Sequence, residues 1–278
     1  MTNVKYSVGI VGCGWLGIAL AEKLIAHEHT VIGTTRADDK LQKLSQSKII
    51  AEKLEFPPTD VDVDALAVFQ CSTLVIAITP GIRQGRKDYA DNIKAIVLHA
   101  QRQGVEHIVL LNSTAIYQGL NGYVDETANL RLDDPKVALL KQAEEYVENY
   151  CGRYSIFRLS GLVGPGRHPG NFFANKRTLT EPNAFVNLIH QQDVVNSLFE
   201  FITQTKPSGI YNVSSSMEVS KGHFYNMAAY ALGKEIGSYD NEPSKESGKL
   251  IVTNKLHANL EMPFKFDDIV SWMMTNQA

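Results

Sequence analysis

The sequence predicts an α/β protein built on a doubly wound parallel sheet, with a small C-terminal α/β lobe. Three observations predict it. Apolar, β-rich runs alternate with helix-period segments from the N-terminus to about residue 158. One run, TLVIAI at 73–78, is continuously apolar, as a strand covered on both faces should be. After Gly170 the alternation loosens into loops, short strands and helices. The expected division is a first domain over residues 1–160, its sheet completed by a later strand, and a smaller lobe over 161–278 interleaved with it.

Taken in order, the chain opens with YSVGIVGCGWLGIAL at 6–20. An apolar strand leads into Gly12, Gly14 and Gly17 in the spacing G-x-G-x-x-G, and Leu16, Leu20 and Leu24 then repeat at helical spacing. Strand, glycine turn and helix form the context that the Rossmann-type dinucleotide fingerprint requires. Gly12 permits the tight turn, Gly14 lets backbone approach a pyrophosphate, and Gly17 lets helix pack on strand. Trp15 and Leu16 open the helix whose N-terminus offers N–H groups to phosphate. A second strand at 30–34 is followed by Thr35 and Arg36, where an adenosine-ribose reader belongs. No acid stands there to bond both ribose hydroxyls. A guanidinium suits a 2′-phosphate, so NADP(H) is expected over NAD(H). Asp38 and Asp39 are expected to cap the next helix.

A weak third strand is placed at 49–54, ended by Pro57 and Pro58. The fourth, at 73–78, stops at Thr79-Pro80-Gly81, a strand C-terminus of the kind where α/β sheets hold ligands. Arg83 and Arg86 in that loop either contact a charged substrate or are simply solvated. A helix over Tyr89–Gln103 closes at Gly104. A fifth strand at 107–111 runs into NSTAIY at 112–117, Asp133 caps a long helix, and a sixth strand covers 154–159. Beyond it the pattern gives a strand at 186–190, helices at 193–202, 223–232 and 267–274, and a strand over Gly209–Val213.

Composition narrows the function. The chain has 278 residues, 44% hydrophobic, with a net charge of −3. That charge gives no electrostatic case for nucleic acid, and no apolar run reaches membrane-spanning length. The first strand starts too near Met1 for a signal peptide. Cys13, Cys71 and Cys151 match no zinc spacing and no disulfide framework, and no metal site is expected. They read as buried reduced thiols in a cytoplasmic protein.

Five segments resemble the extended short-chain dehydrogenase/reductase family of nucleotide-sugar epimerases and dehydratases. They are VGIVGCGWLG, LLNSTAIYQG, FRLSGLVGPGR, NLIHQQDVV and GIYNVSS, in the family's order and nearly end to end. The compact length and GTTR after the second strand look most like its atypical, YeeZ-like members. The resemblance implies an NAD(P)-dependent oxidoreductase or epimerase acting on a small polar or nucleotide-sugar substrate, and a homodimer through the helices that carry Tyr89 and Val137.

Family chemistry uses Ser/Thr with Tyr and Lys of a Tyr-x-x-x-Lys pair, the tyrosine working as acid/base. By that resemblance Ser113 is the serine, Thr114 its possible substitute on the substrate side, and Lys141 the lysine that holds the nicotinamide ribose. Four residues before Lys141 stands Val137, not tyrosine. Tyr117 is the remaining candidate acid. Thr79 joins the cofactor residues. Arg167 could meet a substrate phosphate. His190 either lies near a sugar-nucleotide or bonds neighbouring backbone to fix the lobe, and Asp193 is expected to cap the helix that follows it. A cofactor-binding protein without turnover is the alternative function.

Overall fold

The structure is a computed structural model that describes residues 7–58, 62–82, 85–172, 178–235, 238–240 and 248–275. Its first half is the expected alternation: β1 (Ser7–Val11), α1 (Trp15–Ala26), β2 (Thr30–Thr35), α2 (Asp38–Gln46), β3 (Ile50–Lys53), β4 (Thr73–Ile76), α3 (Tyr89–Gln103) and β5 (His107–Ser113). There follow β6 (Gly122–Val124), α4 (Pro135–Glu148), β7 (Arg153–Leu159), β8 (Gly161–Val163), β9 (Thr178–Thr180), β10 (Leu188–His190), α5 (Gln191–Thr203) and β11 (Gly209–Val213). The chain ends with α6 (Lys221–Ala231), β12 (Ser238–Asp240), β13 (Lys249–Ile251), α7 (Asn254–His257) and α8 (Ile269–Thr275).

Seven strands form the central sheet in the order β11-β7-β5-β4-β1-β2-β3. The pairs β1–β2, β1–β4, β2–β3 and β4–β5 are parallel, with Val11 opposite Ile76 and Ile76 opposite Leu110. Strands run outward both ways from β1 and β4, the doubly wound arrangement that the alternation predicts. Val8, Ile10, Leu74, Val75, Ile76 and Leu110 are all inaccessible to solvent, which is why these segments read as unbroken apolar runs. Gly9 is forced by packing: a Cβ there would lie 2.2 Å from the Val68 carbonyl oxygen, so glycine lets the short 3-10 turn at Ala67–Phe69 rest on the sheet.

The chain divides into two compact units. One comprises Met1–Ile116, Leu132–Arg158 and Val195–Tyr211; the other comprises Tyr117–Arg131, Leu159–Val194 and Asn212–Ala278. The second contains three short parallel pairs, β8–β10, β9–β12 and β6–β13. Its core gathers Val163, Leu179, Leu188, Phe224, Ile269 and Trp272.

Three helix starts differ from expectation. Ala37, not an aspartate, is the N-cap of α2; Asp38 and Asp39 occupy its first turn, and Asp38 pairs with Lys53 at 2.8 Å. Asp134, not Asp133, caps α4, accepting from the N–H groups of Lys136 at 2.8 Å and Val137 at 3.3 Å, with Pro135 just inside. Asp193 lies inside the first turn of α5. Its carboxylate accepts the N–H groups of Lys265 at 2.7 Å and Phe266 at 2.9 Å, so it ties down a distant segment. Cys13 and Cys71 are buried as expected, whereas Cys151 is exposed.

Candidate functional site

A cavity of about 740 Å³ opens where the strand order reverses between β1 and β4, within the usual size of small-molecule sites. Its floor is the glycine turn. Gly12 has φ +89°, and a Cβ there would lie 3.0 Å from the Ile78 nitrogen, so both backbone shape and the nearness of the β4 end demand glycine. Gly17 packs α1 on β1, with Ile10 Cγ2 3.2 Å from where its Cβ would stand. Gly14 differs from both. Its φ of −96° is ordinary, and the nearest atom to an added Cβ is 3.9 Å away. Among the described residues nothing requires glycine there, and Gly14 lines the cavity. No side chain caps α1, which Trp15 and Leu16 open, and its first turn holds no acid. The negative charge that this helix end favours must come from outside the helix. The turn itself is held by Gly12 N–H to Thr34 Oγ1 at 3.1 Å and Cys13 N–H to Thr34 O at 2.8 Å. Burial pushes the Cys13 thiol up to about 12, leaving it protonated and inert.

The cavity wall beyond β2 carries Thr35, Arg36 and Lys40. Thr35 Oγ1 accepts the Ala37 N–H at 3.3 Å and keeps its own proton to donate. Among the described residues, neither Arg36 nor Lys40 has a carboxylate partner, because Lys53 has taken Asp38. Leu54, Glu55 and Phe56 enter from beyond β3, and Ala77, Ile78, Thr79 and Gly81 from beyond β4. Arg86, Asp88 and Asn92 complete the wall, and the Arg86 guanidinium holds the Asp88 carboxyl down at about 2. Arg83 lies outside the described residues. Lys40, Glu55, Phe56, Asp88 and Asn92 were not singled out by motif or spacing.

The structure thus brings Gly12, Gly14, Thr35, Arg36 and Thr79 to one cavity. It does not bring the expected proton-transfer residues there. Ser113 ends β5, half-buried, with its Oγ accepting the Ala115 N–H at 3.1 Å; Thr114 beside it is buried. Neither is among the described residues lining the cavity. Lys141 is spent elsewhere: its ammonium pairs with Glu148, seven residues along the same helix, with side chains 24% and 28% exposed. Val137, at the expected tyrosine position, is completely buried. In the second unit, Tyr117 is inaccessible to solvent and donates its hydroxyl to Asn212 Oδ1 at 2.8 Å. His190 is 3% exposed, its ring tilted against Phe266 and edge-on to Trp272, with Nδ1 accepting the Gln192 N–H at 3.1 Å. Burial, with the like charge of Lys265, holds it neutral, down at about 4. Arg167 is exposed on a turn closed by its N–H to Gly164 O at 2.8 Å.

Comparison with known proteins places this geometry. A family model described as NAD(P)H-binding matches residues 12–205. The protein YeeZ of Escherichia coli K12 is 32% identical over 268 residues, covering 94% of this chain and 96% of its own. Among solved structures, UDP-glucuronic acid 4-epimerase from Bacillus cereus in complex with NAD superposes with a TM-score of 0.77 at 12% identity, over 96% of each chain. MoeE5 in complex with UDP-glucose and NAD gives 0.73 at 16% identity, over 97% of each. At those identities the two structures speak for the fold.

Proposed function

Since the chain belongs to the NAD(P)H-binding family and has the fold of the short-chain dehydrogenase/reductase epimerases, we propose that it binds NADP(H) in the β1–β4 cavity. We further infer that it acts as an oxidoreductase or epimerase on a small polar substrate, a nucleotide-sugar being the class that the structural relatives suggest. One observation carries the cofactor choice: Arg36 and Lys40 reach the cavity at the end of β2 without a carboxylate partner among the described residues. A bare ribose diol would be read there by an acid; two cations beside the Thr35 hydroxyl suit a 2′-phosphate. Gly12, Gly14 and the open end of α1 would hold the diphosphate. When bound, the dinucleotide supplies hydride exchange. Ser113, whose oxygen already accepts one N–H, retains its proton to donate to a substrate oxygen.

Proton transfer is the weak step. With Val137 buried, Tyr117 bonded to Asn212 and Lys141 bonded to Glu148, the chain forgoes a contribution on the order of 10²–10⁴-fold. Those two bonds favour a second reading, in which the chain binds the dinucleotide and reports its state without turnover. NADPH oxidation assayed against carbonyl compounds and nucleotide-sugars separates the two. Slow oxidation that disappears in Ser113→Ala is the expected result. Tight NADPH binding with no turnover on any of these compounds leaves the binding-only reading.

A further inference from the structure

Among the described residues, five charged side chains line the cavity, and they fall into two groups. Arg36 and Lys40 stand without a carboxylate partner among the described residues. Arg86 is paired with one carboxylate and lies in the field of a second. Its Nε donates to Asp88 Oδ1 at 3.0 Å and its Nη2 to Asp88 Oδ2 at 2.8 Å, a two-point fork, and Glu55 faces it closely enough to stabilise its charge. Asp88 is braced in turn by Asn92 Nδ2 at 3.1 Å. The stem of Arg86 lies on Gly81, where φ is +61° and a Cβ would come within 2.7 Å of Arg86 Cδ. Only glycine lets the side chain lie flat on that turn.

The guanidinium is therefore fixed along one edge and beneath its stem, with one positive charge set against two negative ones. Such a corner repels a diphosphate. What it offers is the flat face of a planar cation, which stacks on aromatic rings. Residues 54–56 border the same cavity and supply its apolar walls, Leu54 and Phe56. We propose that Arg86, held edge-on by Asp88, is the stacking platform for the adenine ring of the dinucleotide, while the unpaired Arg36 and Lys40 take the 2′-phosphate. Arg86 then reads the base and not the charge of the ligand. This rests on the dinucleotide reading above and adds a specificity residue to it.

The test uses isothermal titration of the full chain with NADPH and with its adenosine half, adenosine 2′,5′-bisphosphate, from about 0.05 to about 0.5 M salt. The variants are Arg86→Ala and Arg86→Lys. Arg86 is 37% exposed, so both should fold, and equal unfolding temperatures verify that. Loss of the stacked face is expected to weaken both ligands by about tenfold. Lysine should lose as much as alanine, since it keeps the charge without the plane, and the salt dependence should match that of the parent. Unchanged affinity in Arg86→Ala overturns the platform, as does full retention by Arg86→Lys with a flatter salt dependence in Arg86→Ala, the signature of a phosphate contact. In both cases NADPH still binds the parent and the cofactor reading stands. A parent that binds neither ligand overturns the cofactor reading and this one together.

Discussion

His190 sits in surroundings hostile to its charge. Its ring is 4.1 Å from Phe266 and 4.7 Å from Trp272, Lys265 faces it with like charge, and its one hydrogen bond accepts a proton instead of giving one. The folded state therefore disfavours the imidazolium, and the pKa falls from the usual 6.5 to about 4. The unfolded chain takes up the proton first as pH drops. The stability that comes from keeping His190 neutral is complete above about pH 6.5, declines as pH falls toward 4, and is gone below that. Over that window the loss is about 3 kcal/mol. Urea unfolding at about pH 7 and about pH 4 measures it. His190→Asn, whose amide oxygen can still accept the Gln192 N–H, should lack this increment. An equal acid loss in parent and variant would mean that His190 is not the titrating group. The adjacent Asp193, raised by burial, shifts the other way at lower pH and is common to both proteins.

Helix α4 carries two ion pairs of opposite kind. On its buried face Glu144, inaccessible to solvent, receives Arg158 of β7 through Nε at 2.8 Å and Nη2 at 2.6 Å, and Asn112 of β5 at 2.8 Å. The pair fixes the helix across two strands; burial, and secondarily the charge of Glu144, raise the Tyr89 hydroxyl on α3. Removing one partner leaves a buried charge alone, so Arg158→Met should lose about 3–5 kcal/mol of stability. On its outer face Lys141 and Glu148 are partly hydrated. Lys141→Met should cost less than about 1 kcal/mol and leave NADPH affinity unchanged. The two variants compared by denaturant unfolding and NADPH titration decide the role of this helix. A marked loss of NADPH affinity in Lys141→Met, with stability intact, would return Lys141 to the ribose.

At the scale of the molecule, what could be read from the sequence follows the distance over which each feature is encoded. The glycine turn lies within one strand-turn-helix of fifteen residues, and Arg36 directly follows the next strand, so both could be picked out locally. The doubly wound parallel sheet was legible as alternation, whereas its seven-strand order was not. The three-residue strands β6, β8, β9, β12 and β13 are too short to show a period. The far wall of the cavity comes from two crossovers, β3 to β4 and β4 to β5, that parallel register alone brings together, so Glu55, Asp88 and Asn92 carried no local signal. Tyr117 is disarmed by Asn212, 95 residues away, which no spacing rule could supply. Lys141 and Glu148 stand two helical turns apart, a pairing that the sequence reading did not consider.

The central claim is that the basic end of β2 selects the phosphorylated dinucleotide. Calorimetric titration of the parent and Arg36→Ala with NADPH and NADH tests it most directly. A hydrogen-bonded charge pair is worth about 1.5–3 kcal/mol, or about 10- to 150-fold in affinity. The parent should bind NADPH more tightly than NADH, and Arg36→Ala should lose that factor for NADPH while binding NADH as before. Equal affinity of the parent for both cofactors, or an equal loss for both in Arg36→Ala, would contradict it.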